Sequence, residues 1–348
     1  MSGENLKTTL AMVLKQYPVK VKKVTNENYK GKKGVWFVDT EKTKVVLKKM
    51  PVSPERLQFL LAATDHLKQG GVNFPQLIKN KAGNPYTQYA GSTYCLFEAI
   101  NGKTPDYENL KDLQAIMRSL ATFHKASTGF SPPNGVKISN QLGTWTTKYT
   151  KQISQLTEFK HKVNAKAERN AFDKRFLTEV DEFIKLGNEA LRALKSSDYS
   201  KWVNRVSKSH QLCHQDYAAG NLSLTTSNKL FVFDIDGLTI ELPAQDIRKI
   251  LNKVMKKQAS WDLDQAVKML KWYHAVHPLT KAEYRVLFID MSFPHLFHGI
   301  VSKYYLSRDR NWDERKYMER LESMIRAEKT KSIVTSRFDE IYSRIIRR

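Results

Sequence analysis

The segment His214–Asp236, HQDYAAGNLSLTTSNKLFVFDID, narrows most what this chain can fold into. It is entered through HQLCH and left through KLFVFDID, two apolar runs of strand character. His214, Asp216, Asn221, Asp234 and Asp236 stand within it or at its far end, in a chain whose formal charge is +23. So many acidic and amide groups close together must be neutralised or used. A strand, His-x-Asp, an Asn five residues after that Asp, and a second strand ending in Asp form the arrangement of a phosphotransfer loop. Phosphoryl transfer depends on positioning and charge neutralisation, and Mg2+ takes hard oxygen ligands beside the phosphates. On this reading Asp216 accepts or orients the proton of an acceptor hydroxyl, while Asn221 and Asp234 supply oxygens to the metal. Asp236 is a further ligand or a structural acceptor, and His214 anchors the loop.

Composition bounds the rest. With 348 residues and 41% hydrophobic content, the chain can bury one large core or two moderate ones, and two lobes or domains are expected. No run approaches the ~20 apolar residues of a bilayer span, and the mean hydropathy is −0.52. The opening MSGENLKTTL lacks the basic-then-apolar pattern of a secretory signal, so cytoplasmic synthesis is expected. Cys95 and Cys213 sit in apolar contexts, read as reduced buried thiols, and two cysteines exclude a Cys-rich zinc site. The 58 Lys and Arg against 35 Asp and Glu invite a nucleic-acid reading. Their clusters (VKVKK, YKGKK, VLKK, VMKK, IIRR) are dispersed, however, and no nucleic-acid-binding motif accompanies them. They read as solvated faces, which leaves open an anionic small substrate or an anionic assembly surface.

Residues 1–100 read as five strands and one helix. KGVWFVDTEKTKVVLKKM is hairpin-like; Ser53 and Pro54 open the helix that Gly70-Gly71 closes; PQLIKN, PYTQYAG and STYCLFEAI are strand-like. Residues 101–348 are mainly helical, with one strand pair flanking the His214 loop. The expectation is an α+β chain: a small β-rich lobe over 1–100 and a mainly helical one over 101–348.

The loop resembles that of the aminoglycoside phosphotransferase and choline kinase branch of the protein-kinase-like fold. That branch reads His-Gly-Asp-x-x-x-x-Asn followed by an Ile-Asp-Phe-Asp strand, where this chain has Gln215 for the Gly and Ile235 for the aromatic. LCHQDYAAGNL, VFDIDG, LATFHKASTGF and FPHLFHGIVSKYY carry a closer resemblance, over nearly the full length, to the CotS-type spore coat kinase-like proteins of spore-forming bacteria. The resemblance implies a two-lobe kinase-like fold, with nucleotide bound by the N-lobe over 1–100 and the catalytic loop, metal and acceptor sites in the C-lobe over 101–348, ATP and Mg2+ as cofactors, and a hydroxyl-bearing small molecule or glycan as acceptor. It also implies a place in the spore coat beside other coat proteins. Lys48, closing VVLK, matches the β3 lysine that holds the α- and β-phosphates. CLFEAINGK resembles the hinge, where the Glu98 carbonyl and Ile100 amide would meet adenine beside Phe97.

Two departures stand out. The helix after Lys48 has Leu60 where the family register calls for a glutamate, leaving Glu55 and Asp65 as the acidic candidates. The phosphate loop YKGKKG has only Gly31 and Gly34, with Lys30, Lys32 or Lys33 available to neutralise phosphate. A catalytically weak or inactive pseudokinase serving as a structural coat component is therefore the alternative. His274 with His277, and His295 with His298, read as core or surface histidines rather than metal ligands. Asp246 reads as structural, a cap or a support of the loop.

Overall fold

The computed structural model describes residues 3–30, 33–136, 138–258, 260–307 and 312–347, and the side chains of all of these except 3–5, 26–30 and 33. Gly31 and Lys32, and the side chains of Lys30 and Lys33, lie outside the described residues.

The N-terminal part holds α1 (Gly3–Lys15), β1 (Val21–Lys30), β2 (Lys33–Thr40), β3 (Lys44–Met50), α2 (Pro54–Gln69), β4 (Leu77–Ile78), β5 (Thr87–Tyr89) and β6 (Ser92–Glu98). The sheet is antiparallel, in order β1-β2-β3-β6-β4, with β5 also on β6. It has six strands rather than the expected five. The added strand, VKKVTNENYK, lies at the edge and is too polar to show an apolar run, as edge strands often are. Helix α1 was also not expected, although Leu10, Val13, Leu14 and Tyr17 have helical spacing. They cover the sheet face of Trp36, Val38, Val45 and Leu47. Because strand side chains alternate, Lys48 lies on the opposite face, paired across the sheet with Val35 and Cys95.

Helix α2 begins as its sequence dictates: Ser53 Oγ accepts the Arg56 N–H at 3.3 Å, and Pro54 occupies the first turn. It buries Leu57, Phe59, Leu60, Ala63 and Leu67, and Gly71 leaves it at φ +91°. Phe59 meets Phe130 edge-on, and a Cβ at Gly70 would stand 2.4 Å from Ala126 Cβ. The helix is thus seated on the C-terminal part, sharing its main core.

That part comprises α3 (Leu110–Ser127), α4 (Trp145–Asn164), α5 (Ala171–Lys195), α6 (Tyr199–Ser209), β7 (Leu212–Cys213), β8 (Leu222–Leu224), β9 (Leu230–Val232), β10 (Thr239–Ile240), α7 (Ala244–Lys257), α8 (Leu263–His274), α9 (Lys281–Ser292), α10 (His295–Tyr305), α11 (Glu314–Thr330), α12 (Ser332–Thr335) and α13 (Phe338–Ile346). A second core of Phe172, Phe176, Phe183 and Phe297 joins α5 to α10. The expected single strand pair is in fact two: β7 pairs with β10, and β8 with β9. The reason is local. The turn Thr225–Lys229, with Asn228 at φ 58°, folds the buried Leu222–Leu224 back onto Leu230–Val232.

The β8–β9 hairpin is gripped from both sides. Lys103 and Leu224 exchange backbone hydrogen bonds at 2.9 and 2.8 Å, and Val232 donates to the Asn73 carbonyl at 2.9 Å. Gly102 is required by this closeness, since a Cβ there would lie 2.4 Å from Ser223 Oγ and 2.8 Å from the Leu224 carbonyl oxygen. Gly102→Ala should therefore destabilise the fold by about 1–3 kcal/mol in urea unfolding, the usual cost of overpacking against backbone.

Candidate active site

The site is built on the turn after β7. Asp246, in the first turn of α7 and buried, accepts the backbone N–H of His214 at 2.6 Å and of Gln215 at 2.9 Å. Burial opposes its charge, but His124 and Lys249 outweigh that and hold its pKa below the ordinary carboxylate value. His124, buried on α3, is 3.4 Å from Asp246 and 2.9 Å from Tyr273 Oη. His124, Cys213 and Asp246 approach within 4.8 Å of one another. Both Asp246 oxygens are occupied by amides, so the triplet fits a loop anchor rather than a metal site.

Gln215 takes φ 72°, the left-handed region that favours glycine, which accounts for the Gly of the resembling loops. This chain holds the strained residue by other means. Lys249 Nζ donates to the Gln215 carbonyl at 2.7 Å and to its Oε1 at 2.8 Å, and Gln245 donates to the same Oε1. His214 Nε2 donates to the Phe233 carbonyl at 2.9 Å, and Nδ1 accepts the Asp216 N–H at 3.3 Å. Burial lowers the His214 pKa, in keeping with this neutral tautomer. His214 thus anchors the loop.

Asp216 is then placed on the surface side. Its carboxylate accepts Lys253 Nζ at 2.5 Å and Asn221 Nδ2 at 3.1 Å. Partial burial raises its pKa, but Lys253 and then Asn221 outweigh this and keep it below the usual value. Phe233 N–H donates to the Asn221 carbonyl at 2.9 Å, which brings Asp234 alongside. Asp234 itself is in the left-handed region, φ 51°.

Lys48 arrives here from the sheet. Its Nζ donates to Asp234 Oδ1 at 2.8 Å and to Asp236 Oδ1 at 3.2 Å, spanning 186 and 188 positions of sequence. The Lys48 and Asp236 side chains are only 17% and 13% exposed. Leu60, at the register expected for a glutamate, is in the core, and Asp65 is exposed. The acid partner of Lys48 comes instead from the chain after β9. Helix α2 contributes Arg56, whose Nη2 donates to the Asp236 carbonyl at 3.2 Å and also to that of Leu238. Nothing in the sequence pattern pointed to Arg56, Lys249 or Lys253; each acts from a helix surface where a basic residue is ordinary.

The structure therefore brings Asp216, Asn221, Asp234, Asp236 and Lys48 together, while Glu98 and Ile100 lie at the end of β6 and just beyond it. The histidines set aside as metal ligands hold protein groups: His295 is 2.8 Å from Asp290, and His298 is 3.0 Å from Gln155 and from Ser302.

Residues 11–338 match the family model described as "Spore coat putative kinase YutH". The chain belongs to that family. It is 31% identical over 342 residues to spore coat protein S of Bacillus subtilis (strain 168), covering 98% of this chain and 97% of that one. Among solved structures it is similar to an aminoglycoside phosphotransferase from Alicyclobacillus acidocaldarius, with a TM-score of 0.81, 18% identity and 96% of each chain covered. It is also similar to the amicoumacin kinase hAmiN in complex with AMP-PNP and Ca2+, with a TM-score of 0.65, 16% identity, and 98% and 97% covered. This family member thus has the protein-kinase-like fold and is a spore-coat kinase-like protein. No described helix is long and apolar enough to cross a membrane.

Truncating Asp246 would strand two amides. Asp246→Ala should cost about 2–5 kcal/mol of unfolding free energy, and Asp246→Asn, which keeps one acceptor oxygen, distinctly less; chemical denaturation checks the order.

Proposed function

We propose that this family member is an ATP- and Mg2+-dependent phosphotransferase acting on a hydroxyl of a small molecule or glycan in the spore coat, alongside other coat proteins. The observation that carries the reading is the meeting of Lys48 with Asp234 and Asp236, 186 and 188 positions away in sequence, beside the Asp216–Asn221 pair.

The donor set fits the cation. Asn221 spends its amide nitrogen on Asp216, so its Oδ1 is the atom suited to a metal, and Asp234 adds a half-exposed carboxylate. Mg2+ bound there would neutralise charge on the phosphates. Lys48 would hold the α- and β-phosphates, oriented by Asp236, which makes Asp236 a positioning residue in this reading. The Glu98 carbonyl and Ile100 amide would take adenine. Asp216, kept ionised by Lys253, would accept the acceptor O–H proton as the new oxygen–phosphorus bond forms at the γ-phosphate. The bond to ADP breaks with its electron pair leaving on ADP.

The pseudokinase reading draws on Leu60 standing in place of an acid; Asp236 beside Lys48 weighs against it. Two measurements separate the readings. Mg-ATP at ~100 times its dissociation constant should stabilise the wild type by about 2.7 kcal/mol, and Lys48→Ala or Asp234→Ala should abolish the shift in calorimetry. Asp216→Asn should bind Mg-ATP within a few-fold of wild type, yet lose ~10²-fold or more in ADP release. Absence of any thermal shift in the wild type would favour the structural role.

A further inference from the structure

We propose that the hydroxyl acceptor carries an anionic group, a carboxylate or a phosphate, received by Lys253, Lys256 and Arg320 on the open side of Asp216. This deepens the phosphotransferase reading and rests on its assignment of Asp216.

Helix α7 starts beneath the catalytic loop at Asp246 and runs outward from it. Its Lys249, Lys253 and Lys256 recur at helical spacing on one face, so their ammonium groups line up from the loop toward solvent. The first is consumed by Gln215, and the second bonds Asp216 at 2.5 Å. Lys256, one turn further out, is half-buried. Burial lowers its pKa, the charges of Lys253 and Arg320 add to that, and Asp216 opposes it.

Arg320, from α11, continues the patch beside Trp312, its guanidinium 6.0 Å from the ring centroid; Lys316 stands 4.8 Å from the same ring. Lys257 lies 5.5 Å from the ring of Tyr107, whose hydroxyl accepts the loop N–H of Ala219 at 2.8 Å. Among the described residues, the acids on this face are Asp216, Glu108 at 4.0 Å from Lys257, Glu319 at 3.0 Å from Arg315, and Asp313, whose carboxylate accepts the Lys316 N–H at 2.8 Å, against Lys253, Lys256, Lys257, Arg315, Lys316 and Arg320. Positive charge therefore exceeds negative at the mouth where an acceptor must enter.

Crowding like charges at a partly desolvated place costs free energy that an arriving anion recovers. The same field repels an amine. A site that places Lys256 against Lys253 and Arg320 is thus tuned for an anionic hydroxyl compound and against a cationic one.

The test uses four probes sharing hydroxyl groups and differing in charge: glycerol, glycerate, glycerol 3-phosphate and 3-amino-1,2-propanediol. Binding to the full chain is measured by calorimetry at constant ionic strength, with Mg-ATP binding measured separately. Glycerate or glycerol 3-phosphate should bind at least ~10-fold more tightly than glycerol and the amino diol, and whichever leads tells carboxylate from phosphate. Lys256→Gln and Arg320→Gln should each weaken that binding ~5-fold or more. Lys20→Gln, an exposed N-lobe change beside Glu41, should not. The proposal is overturned if the neutral or amino probe binds as tightly as the anions, or if anion binding ignores Lys256→Gln and Arg320→Gln. It also falls if Lys20→Gln weakens binding equally, or if Lys256→Gln lowers Mg-ATP affinity instead. Selective anion binding without any Mg-ATP binding would keep the surface and sink the phosphotransferase reading. Mg-ATP binding with no anion binding would do the reverse.

Discussion

One ammonium group ties the two parts of the molecule together at their most consequential point. Lys48 comes from the third strand of the sheet, and Asp234 and Asp236 come from the chain that leaves the β8–β9 hairpin. A lysine and an aspartate this little exposed are tolerable only as partners, because desolvating either alone is costly. The pairing therefore fixes a register between sheet and hairpin as well as a side-chain direction. Arg56 reinforces it from α2 by gripping the carbonyls of Asp236 and Leu238. In this chain α2 secures the backbone that carries the acid partner rather than supplying the acid itself.

The catalytic-type loop is held by a second device, a strained backbone with many acceptors and donors aimed at it. Gln215 and Asp234 both occupy left-handed conformations, which persist only where the surroundings determine them. Around Gln215, Asp246, Lys249, Gln245 and His214 provide that determination, and Lys48 holds the Asp234 carboxylate. Three of these come from α7, and the same helix then presents Lys253 to Asp216. One helix thus anchors the loop from below and sets the charge at its mouth.

Much of this was legible in the residues, and what was not has identifiable physical causes. The His214–Asp236 segment announces itself because its polar groups interrupt two apolar strands at fixed spacing, and Ser53-Pro54 marks a helix start by capping chemistry. Helix α1 escaped although Leu10, Val13, Leu14 and Tyr17 are correctly spaced. The edge strand β1 escaped because its lysines and asparagines give no apolar alternation. The pairing of β7 with β10 depends on a contact across the loop that no local pattern encodes. Asp236 is the instructive residue: its sequence offered a metal ligand or a structural acceptor, and only the approach of Lys48 from another part of the chain distinguishes a third possibility, a partner for the lysine. Arg56 and Lys253 carry no local signal, since a basic residue on a helix surface is ordinary until its neighbour is known.

The account turns on whether Asp236 orients Lys48 for nucleotide. A double-mutant cycle with Lys48→Ala and Asp236→Ala, read as Mg-ADP affinity by calorimetry, addresses this directly. If Asp236 acts through the lysine, Asp236→Ala weakens binding in the wild type but adds little once Lys48 is gone, giving a coupling energy of about 1 kcal/mol or more. Effects that add within ~0.5 kcal/mol would contradict the account and make the two residues independent.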